Sequence, residues 1–528
     1  MKIGISKKYL VLPLGFHAVK KKLSFFKDKE LVFDLDVALD STEPDYYQYI
    51  NLERFLNCEL ELTCKPQIDI NFTLTDELPD SGIYQEKYRP QVHFSAKRGW
   101  INDPNGLLFY HGVYHMFYQH NPAGSKWGNM HWGHAVSPDL LHWDEKECAL
   151  SPDETGTMFS GSAIIDTENR TGLKCNDNDV ILLYYTAAGG TSQLSEGKKF
   201  TQCLAYSTDG GKSYQKYANN PVLSHIESEN RDPKVIYSPE LQAYIMALYL
   251  NDDRFALFTS KDLLNWNYLQ ETTLAGDAEC PDFYPLALDG NHNNIKWILS
   301  GASDRYTIGD LEKGVYHISQ PSKRLHYGKN NYAAQTFSDV PKEDGRRIRI
   351  AWNTMEVPNA GFNNSMCIPT EMSLKTINSD IYLCTNPISE LRELYDITVT
   401  YTDIPVSEET TFTAPLSGKA QDIELEITAD ENSEFSIAVY GMELNCKVKE
   451  NLLNFQENTM PLYAKDKKIN LRLIVDALGV EVFADQGQAH MCMGFLSDYN
   501  LNRLEVKSLQ ANTCIKNCSI SELKNIWL

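Results

Sequence analysis

Long apolar runs are missing from this sequence. No stretch approaches the ~20 consecutive apolar residues that a membrane-spanning helix needs. Basic side chains are also in deficit: 49 Lys and Arg stand against 71 Asp and Glu, giving a formal net charge of −22. A surface this acidic repels phosphate backbones and anionic headgroups, which excludes nucleic acid and membrane as expected partners. The expected partner is instead a neutral small molecule or polymer. No Cys-x-x-Cys pair occurs among the 12 cysteines, whose closest spacings are Cys58 to Cys64 and Cys514 to Cys518. In a chain of this length such scatter reads as reduced thiols and not as a disulfide framework. The first 22 residues carry a short apolar run, Tyr9 to Phe16, but no small-residue cleavage site, and Lys20, Lys21 and Lys22 follow it. A signal peptide is therefore not expected, and a cytoplasmic location is.

Helical periodicity is scarce too. Most segments read as short strands punctuated by Gly, Pro, Asn and Asp, as in Tyr9 to Pro13, Glu30 to Val37, Val180 to Tyr185, Tyr244 to Leu250 and Ile348 to Trp352. The fold class predicted is all-β. Three regions separate: residues 1–88, with alternating strands and no catalytic cluster; 89–390, with seven of the eight Trp; and 391–528, where alternating strands return at Asp422 to Ile427 and Leu471 to Val475. Asp76 to Pro90, containing Pro79 and Gly82, reads as a linker. The middle region repeats itself weakly: Ser137-Pro-Asp-Leu-Leu-His-Trp143 recurs as Ser260-Lys-Asp-Leu-Leu-Asn-Trp266, with Ser207-Thr-Asp-Gly-Gly-Lys-Ser213 between them. A turn repeated between strands at this spacing points to the blades of a β-propeller. The 29 Tyr suit a sugar-binding surface, since a phenol offers an apolar face and a polar rim. They suit strands equally well.

Three carboxylates sit in unusual local sequence. Asp103 lies in Trp100-Ile-Asn-Asp-Pro-Asn-Gly106, where Pro104 fixes φ and Gly106 permits a sharp turn. Asp232 lies beside Arg231, which can hold it ionised. Glu279 lies in Ala278-Glu-Cys-Pro281, and as a general acid it would need a raised pKa. Alone, the first is turn chemistry and the second an ordinary ion pair. Six of the 13 His fall between His111 and His142, but no Cys or Asp completes a ligand set with His131 and His134 or with His111 and His115. Neither a metal nor an organic cofactor is expected.

Together with their neighbours these segments resemble glycoside hydrolase family 32, the invertase, inulinase and levanase group. The resemblance rests on Trp100 to Gly106, Gln119-His-Asn-Pro122, Trp127-Gly-Asn-Met-His-Trp-Gly-His134, Phe159-Ser-Gly-Ser162, Arg231-Asp-Pro233, Glu279-Cys-Pro-Asp282 and Tyr332-Ala-Ala-Gln-Thr-Phe337, in that order. It implies a five-bladed β-propeller followed by a C-terminal β-sandwich, the latter echoed by Val475-Asp476 and Val480 to Phe483. The first 88 residues resemble an accessory N-terminal β-rich module of some levanase-like members. The implied activity is that of a retaining β-fructosidase acting on fructans, fructo-oligosaccharides or sucrose. Implied roles are Asp103 as nucleophile, Glu279 as acid/base and Asp232 as stabiliser of the transition state. Asn102, Gln119, Trp127, Phe159, Ser160 and Arg231 match positions lining the fructose pocket. Fructosyl transfer on the same scaffold, an inverting mechanism and an inactive fructan-binding protein are the alternatives. His326 and Asn330 stand where relatives often carry carboxylates, a departure expected to affect the pocket rim. The flanking β-modules are the candidate surfaces for a homo-oligomer.

Overall fold

Strands joined by turns account for nearly all of the computed structural model, which describes residues 1–68 and 71–527. Among the described residues the helical elements are three short 3-10 segments, Glu53–Phe55, Ser389–Leu394 and Asp485–Gly487. From Gly99 to Pro387 the chain forms five four-stranded blades. Their innermost strands are Gly99–Tyr110, Thr157–Asp166, Arg231–Ser238, Asp282–Leu288 and Tyr332–Thr336, in blades I to V respectively. Within each blade the later strands step outward as antiparallel neighbours. A short strand from the blade V excursion, Phe362–Asn363, pairs in parallel with Gly99 and Trp100, tying the last blade to the first.

Blades pack face to face, so their middle strands are apolar on both sides. Every residue of Val180–Ala188 in blade II is buried. Side chains alternate along a strand, which sends Tyr185 into the core shared with blade I and Tyr184 into the core shared with blade III. Burying a ring of this kind contributes roughly 2–3 kcal/mol, and such rings recur between blades: Phe255 and Trp297 between III and IV, and Tyr284, packed with Leu383, between IV and V.

The repeated heptad is the turn between the third and fourth strands of blades I, II and III. In each copy the Ser hydroxyl donates to the Asp carboxylate two residues on, and that carboxylate accepts backbone N–H groups from the residues after it. The next position is left-handed in all three, at Leu140, Gly210 and Leu263.

Two six-stranded sheets follow the propeller and face each other across one apolar core. The first contains Tyr395–Val406, Gln421–Ala429 and Lys468–Asp476; the second contains Glu434–Val439 and Arg503–Gln510. At the other end of the chain, strands Lys2–Gly4, Glu59–Lys65, Lys21–Lys27 and Glu30–Val37 form one small sheet, and Tyr46–Asn51, Tyr9–Leu14 and Thr73–Thr75 form another. Leu10, Leu12, Phe25 and Leu35 lie in the core between them.

The position of His326 and Asn330 corrects the expectation of a rim role. Both are buried, and both engage the sandwich strand Ala489–Gly494: the Cys492 N–H donates to His326 Nε2 at 2.8 Å and the Gly494 N–H donates to Asn330 Oδ1 at 2.8 Å. An acceptor for a backbone N–H is what this joint requires there.

Candidate active site

The same end of the innermost strand is used in all five blades. Asp103, Ser160, Arg231 with Asp232, and Tyr332 all lie at or near the beginning of an innermost strand, and Glu279 lies just before one. Innermost strands line the ring's axis, so side chains far apart in sequence meet at one end of it. Irregularities aim them: pairing register shifts between Ile101 and Pro104, between Phe159 and Gly161, between Arg231 and Lys234, and between Tyr332 and Gln335. A bulge of this kind bends the strand and redirects one side chain. At Gly161 the chain passes so close to blade II's next strand that a Cβ would fall 1.9 Å from the Tyr184 carbonyl oxygen. Only glycine fits there, and Ser160 takes its direction from that contact.

The carboxylates converge. Ser160 Oγ donates to Asp103 Oδ2 at 2.6 Å, and Asn102 Nδ2 donates to Asp103 Oδ1 at 3.1 Å. Trp100 Nε1 in turn donates to Asn102 Oδ1 at 3.0 Å, which fixes which end of the amide faces the acid. The Cys280 thiol lies 3.5 Å from both Asp103 Oδ2 and Asp232 Oδ2, and the Cys280 N–H donates to Asp232 at 3.0 Å. Arg231 Nη2 donates to Glu279 Oε1 at 2.8 Å, and the Tyr332 hydroxyl donates to Glu279 Oε2 at 3.0 Å. The Arg231 guanidinium also lies over the Tyr249 ring, 4.7 Å from its centroid.

Asp232, Glu279 and Cys280 all adopt φ between 39° and 65°, an uncommon conformation for residues with a side chain and one that concentrates where function over-determines the backbone. Burial pushes the Asp232 carboxyl up to about 7, Arg231 and the Cys280 N–H pull against it, and the charges of Asp103 and Glu279 add to the rise. Asp103 is likewise raised by burial; its bonds from Ser160 and Asn102 oppose this and the Glu279 charge reinforces it. Burial and the three surrounding carboxylates keep Cys280 a thiol. Burial works against the charge on Arg231, and Asp232 and Glu279 overcome it. The result is a cluster of like charges sharing one cation.

Aromatic side chains flank the cluster. Trp127 is 50% exposed, and its ring meets that of Phe159 edge to face at 6.2 Å; Phe200 packs behind Phe159 at 5.5 Å. Gln119 is buried, and with the Asn105 amide turned to match its neighbours, Gln119 Nε2 donates to Asn105 Oδ1 at 3.1 Å while Asn105 Nδ2 donates to Ser160 Oγ at 3.3 Å. Its link to Asp103 therefore runs through two intermediaries. Beneath the cluster, Lys234 pairs with Asp282 at 3.3 Å and donates to the Thr336 carbonyl, filling the axis between blades III, IV and V.

All nine residues singled out from sequence thus gather at one end of the propeller. Tyr332, Trp100, Asn105 and Tyr249 were not among them. Tyr332, Trp100 and Asn105 stand inside motifs already noted, and only the fold reveals that they reach the acids or the side chains that hold them. Away from the site, the thiols of Cys367 and Cys492, 3.9 Å apart, and Glu481 form the one metal-like group found among the described residues. Glu481 there already accepts from the Ile368 N–H and bonds His93 and His490.

Known protein families match the propeller and the sandwich in turn. The model for the glycosyl hydrolases family 32 N-terminal domain matches residues 93–387, and that for the family's C-terminal domain matches residues 390–522. A levanase of Bacillus subtilis (strain 168) is 32% identical over 515 residues, covering 87% of this chain and 75% of that protein. An extracellular exo-inulinase of Aspergillus niger is 29% identical over 482 residues, covering 77% and 89%. Among solved structures, an exo-inulinase from Aspergillus awamori superposes with a TM-score of 0.76 at 25% identity, covering 84% of this chain and all of that one.

Proposed function

Because the chain belongs to glycoside hydrolase family 32, we propose that it releases terminal fructofuranosyl units from fructans, fructo-oligosaccharides or sucrose with retention of configuration. The observation that carries this reading is the meeting of three carboxylates from blades I, III and IV around one thiol and one guanidinium.

A fructosyl ring enters beside Trp127 and Phe159, whose faces match the apolar side of a sugar. Asp103, held by Ser160 and Asn102, attacks the anomeric carbon, and Glu279 delivers a proton to the departing oxygen. Glu279 is suited to that task by position: its side chain keeps 34% of its surface accessible, whereas that of Asp232 keeps 3%. Asp232 accepts hydrogen bonds from fructose hydroxyls and offsets the positive charge that grows on the ring. Glu279, now a base, activates water to free fructose from the covalent intermediate. Relatives named levanase and exo-inulinase supply the substrate class.

Asp103→Asn and Glu279→Gln are each expected to lower fructose release by ~10³-fold or more while the protein unfolds at an unchanged or higher temperature. Proton NMR of the first-formed fructose is expected to show the configuration of the substrate. Full activity in either variant, or inverted product, would overturn the reading.

A further inference from the structure

One strand of the N-terminal module touches both loops that support the aromatic walls of the site. On one side, the Asp36 N–H donates to Asn129 Oδ1 at 2.8 Å and Asn129 Nδ2 donates back to the Asp36 carbonyl at 2.9 Å. The Asn129 amide thus imitates a strand partner, two residues past Trp127. On the other side, the Asp34 carboxylate accepts the N–H groups of Gln193 and Leu194 at 3.1 and 3.0 Å, in the loop that leads to Phe200 behind Phe159. Ser24 Oγ adds a bond to Gln193 Oε1 at 2.9 Å. Asp34 is almost fully buried, with Lys22 as its cation at 3.2 Å. A carboxylate committed in this way to two backbone donors of another unit is costly to bury unless every bond is made.

The module also reaches the rim itself. Lys20 Nζ donates to the Trp127 carbonyl at 3.1 Å and would lie 3.7 Å from a Cβ on Gly128. Lys20 is exposed, as is its neighbour Val19 at 74%. An ammonium carries three donors, so with one on the Trp127 carbonyl two remain directed at solvent, on the residue whose indole is half exposed. An exposed donor held at the backbone of a residue with an exposed ring suits a hydroxylated, uncharged chain.

We propose that the N-terminal module is a working wall of the substrate site. Its strand Glu30–Val37 sets the spacing of the Trp127 and Phe159 walls, with Asp34 as a positioning residue. Lys20 contacts the saccharide on the leaving-group side of the cleaved bond. This rests on the fructosidase reading above. A long fructan, which extends beyond that bond, gains more from the wall than sucrose, whose leaving group is a single ring.

The test compares kcat and KM on sucrose, inulin and levan for the wild type, Lys20→Ala and Asp34→Ala. The ratio of kcat/KM on the preferred fructan to that on sucrose is expected to fall about threefold or more in Lys20→Ala, through KM and not kcat, whereas Asp34→Ala, which shifts walls around the fructosyl ring common to every substrate, is expected to raise KM on all three. A smaller change in that ratio for Lys20→Ala, or a loss confined to kcat, overturns the proposal. Should Asp34→Ala fail to fold, Lys20→Ala, a surface change, still decides it. A wild type inactive on all three substrates would count against the fructosidase reading instead, because the ratio would then not exist.

Discussion

Arg231 and Glu279 form a hydrogen-bonded ion pair at 2.8 Å, while the same guanidinium stands 3.7 Å from Asp232. One cation therefore serves two carboxylates from neighbouring blades, one kept accessible and one deeply buried. A planar fork holds both from nitrogens that point in fixed, divergent directions, whereas an ammonium is a compact charge whose freely turning donors impose no such geometry. Arg231→Lys is accordingly expected to lower kcat/KM by ~10²-fold despite keeping the charge, measured as initial rates of fructose release. Near-native rates would show that charge alone suffices and that the shared geometry has no part in the reaction.

Ser160 tests how Asp103 is kept ionised. Its hydroxyl makes the 2.6 Å bond to Asp103 Oδ2, and that bond opposes the upward push of burial on the Asp103 carboxyl. Removing a donor from a carboxylate favours its protonated form. Ser160→Ala should therefore move the acidic limb of the kcat/KM profile to higher pH and lower the plateau about tenfold. A limb at its original position would assign that limb to another group.

Asp232 should leave a mark on stability as well as on rate. Its folded-state pKa of about 7 lies above the ordinary 3.8, so between those values the folded protein holds a proton that the unfolded chain has released. Stability then falls as pH rises through that window. Asp232→Asn cannot lose a proton. Relative to the wild type it should gain a few kcal/mol more at pH 8 than at pH 5, read from urea unfolding at both. Equal differences at the two pH values would mean that the buried carboxyl titrates normally.

Local chemistry made much of this site readable before any coordinates. Pro104 restricts the backbone and Gly106 frees it wherever such residues occur, and the Ser-x-Asp turns build their own hydrogen bonds from residues two to four apart, so both announce themselves in sequence. Gln119 was legible as a motif residue, but its distance from Asp103 depends on Asn105, which packing places between them. His326 and Asn330 escape for the same reason: their partners, Cys492 and Gly494, lie 166 and 164 residues away in another sheet. The contact of Lys20 with Trp127 spans 107 positions, and nothing near Lys20 in the chain hints at it. Turn chemistry is written locally; the joints between units are not.

The joint between propeller and sandwich turns on His93, buried between Asp476 at 2.8 Å and Glu481 at 3.0 Å. Asp476 also accepts the N–H groups of Gln91 and Val92, and Glu481 that of Ile368, so both sandwich carboxylates grip the start and the end of the propeller. Burial opposes the imidazolium, but the two carboxylates overcome it and hold His93 up at about 10; burial also opposes the Glu481 charge, which His490 and His93 overcome, bringing it down to about 2. For the histidine the folded value is above the ordinary 6.5, so its contribution is complete below about 6.5 and is lost as pH rises through about 10. For Glu481 the contribution is present above the ordinary carboxylate range and is lost as pH falls through about 2. His93→Ala leaves two buried carboxylates without their cation, which typically costs about 3–5 kcal/mol. Urea unfolding should show that deficit in full at pH 6 and a smaller one at pH 10, where the wild-type imidazolium is itself giving up its proton. A deficit of the same size at both values would mean that His93 is neutral and that the joint is held by hydrogen bonds without the ion pair.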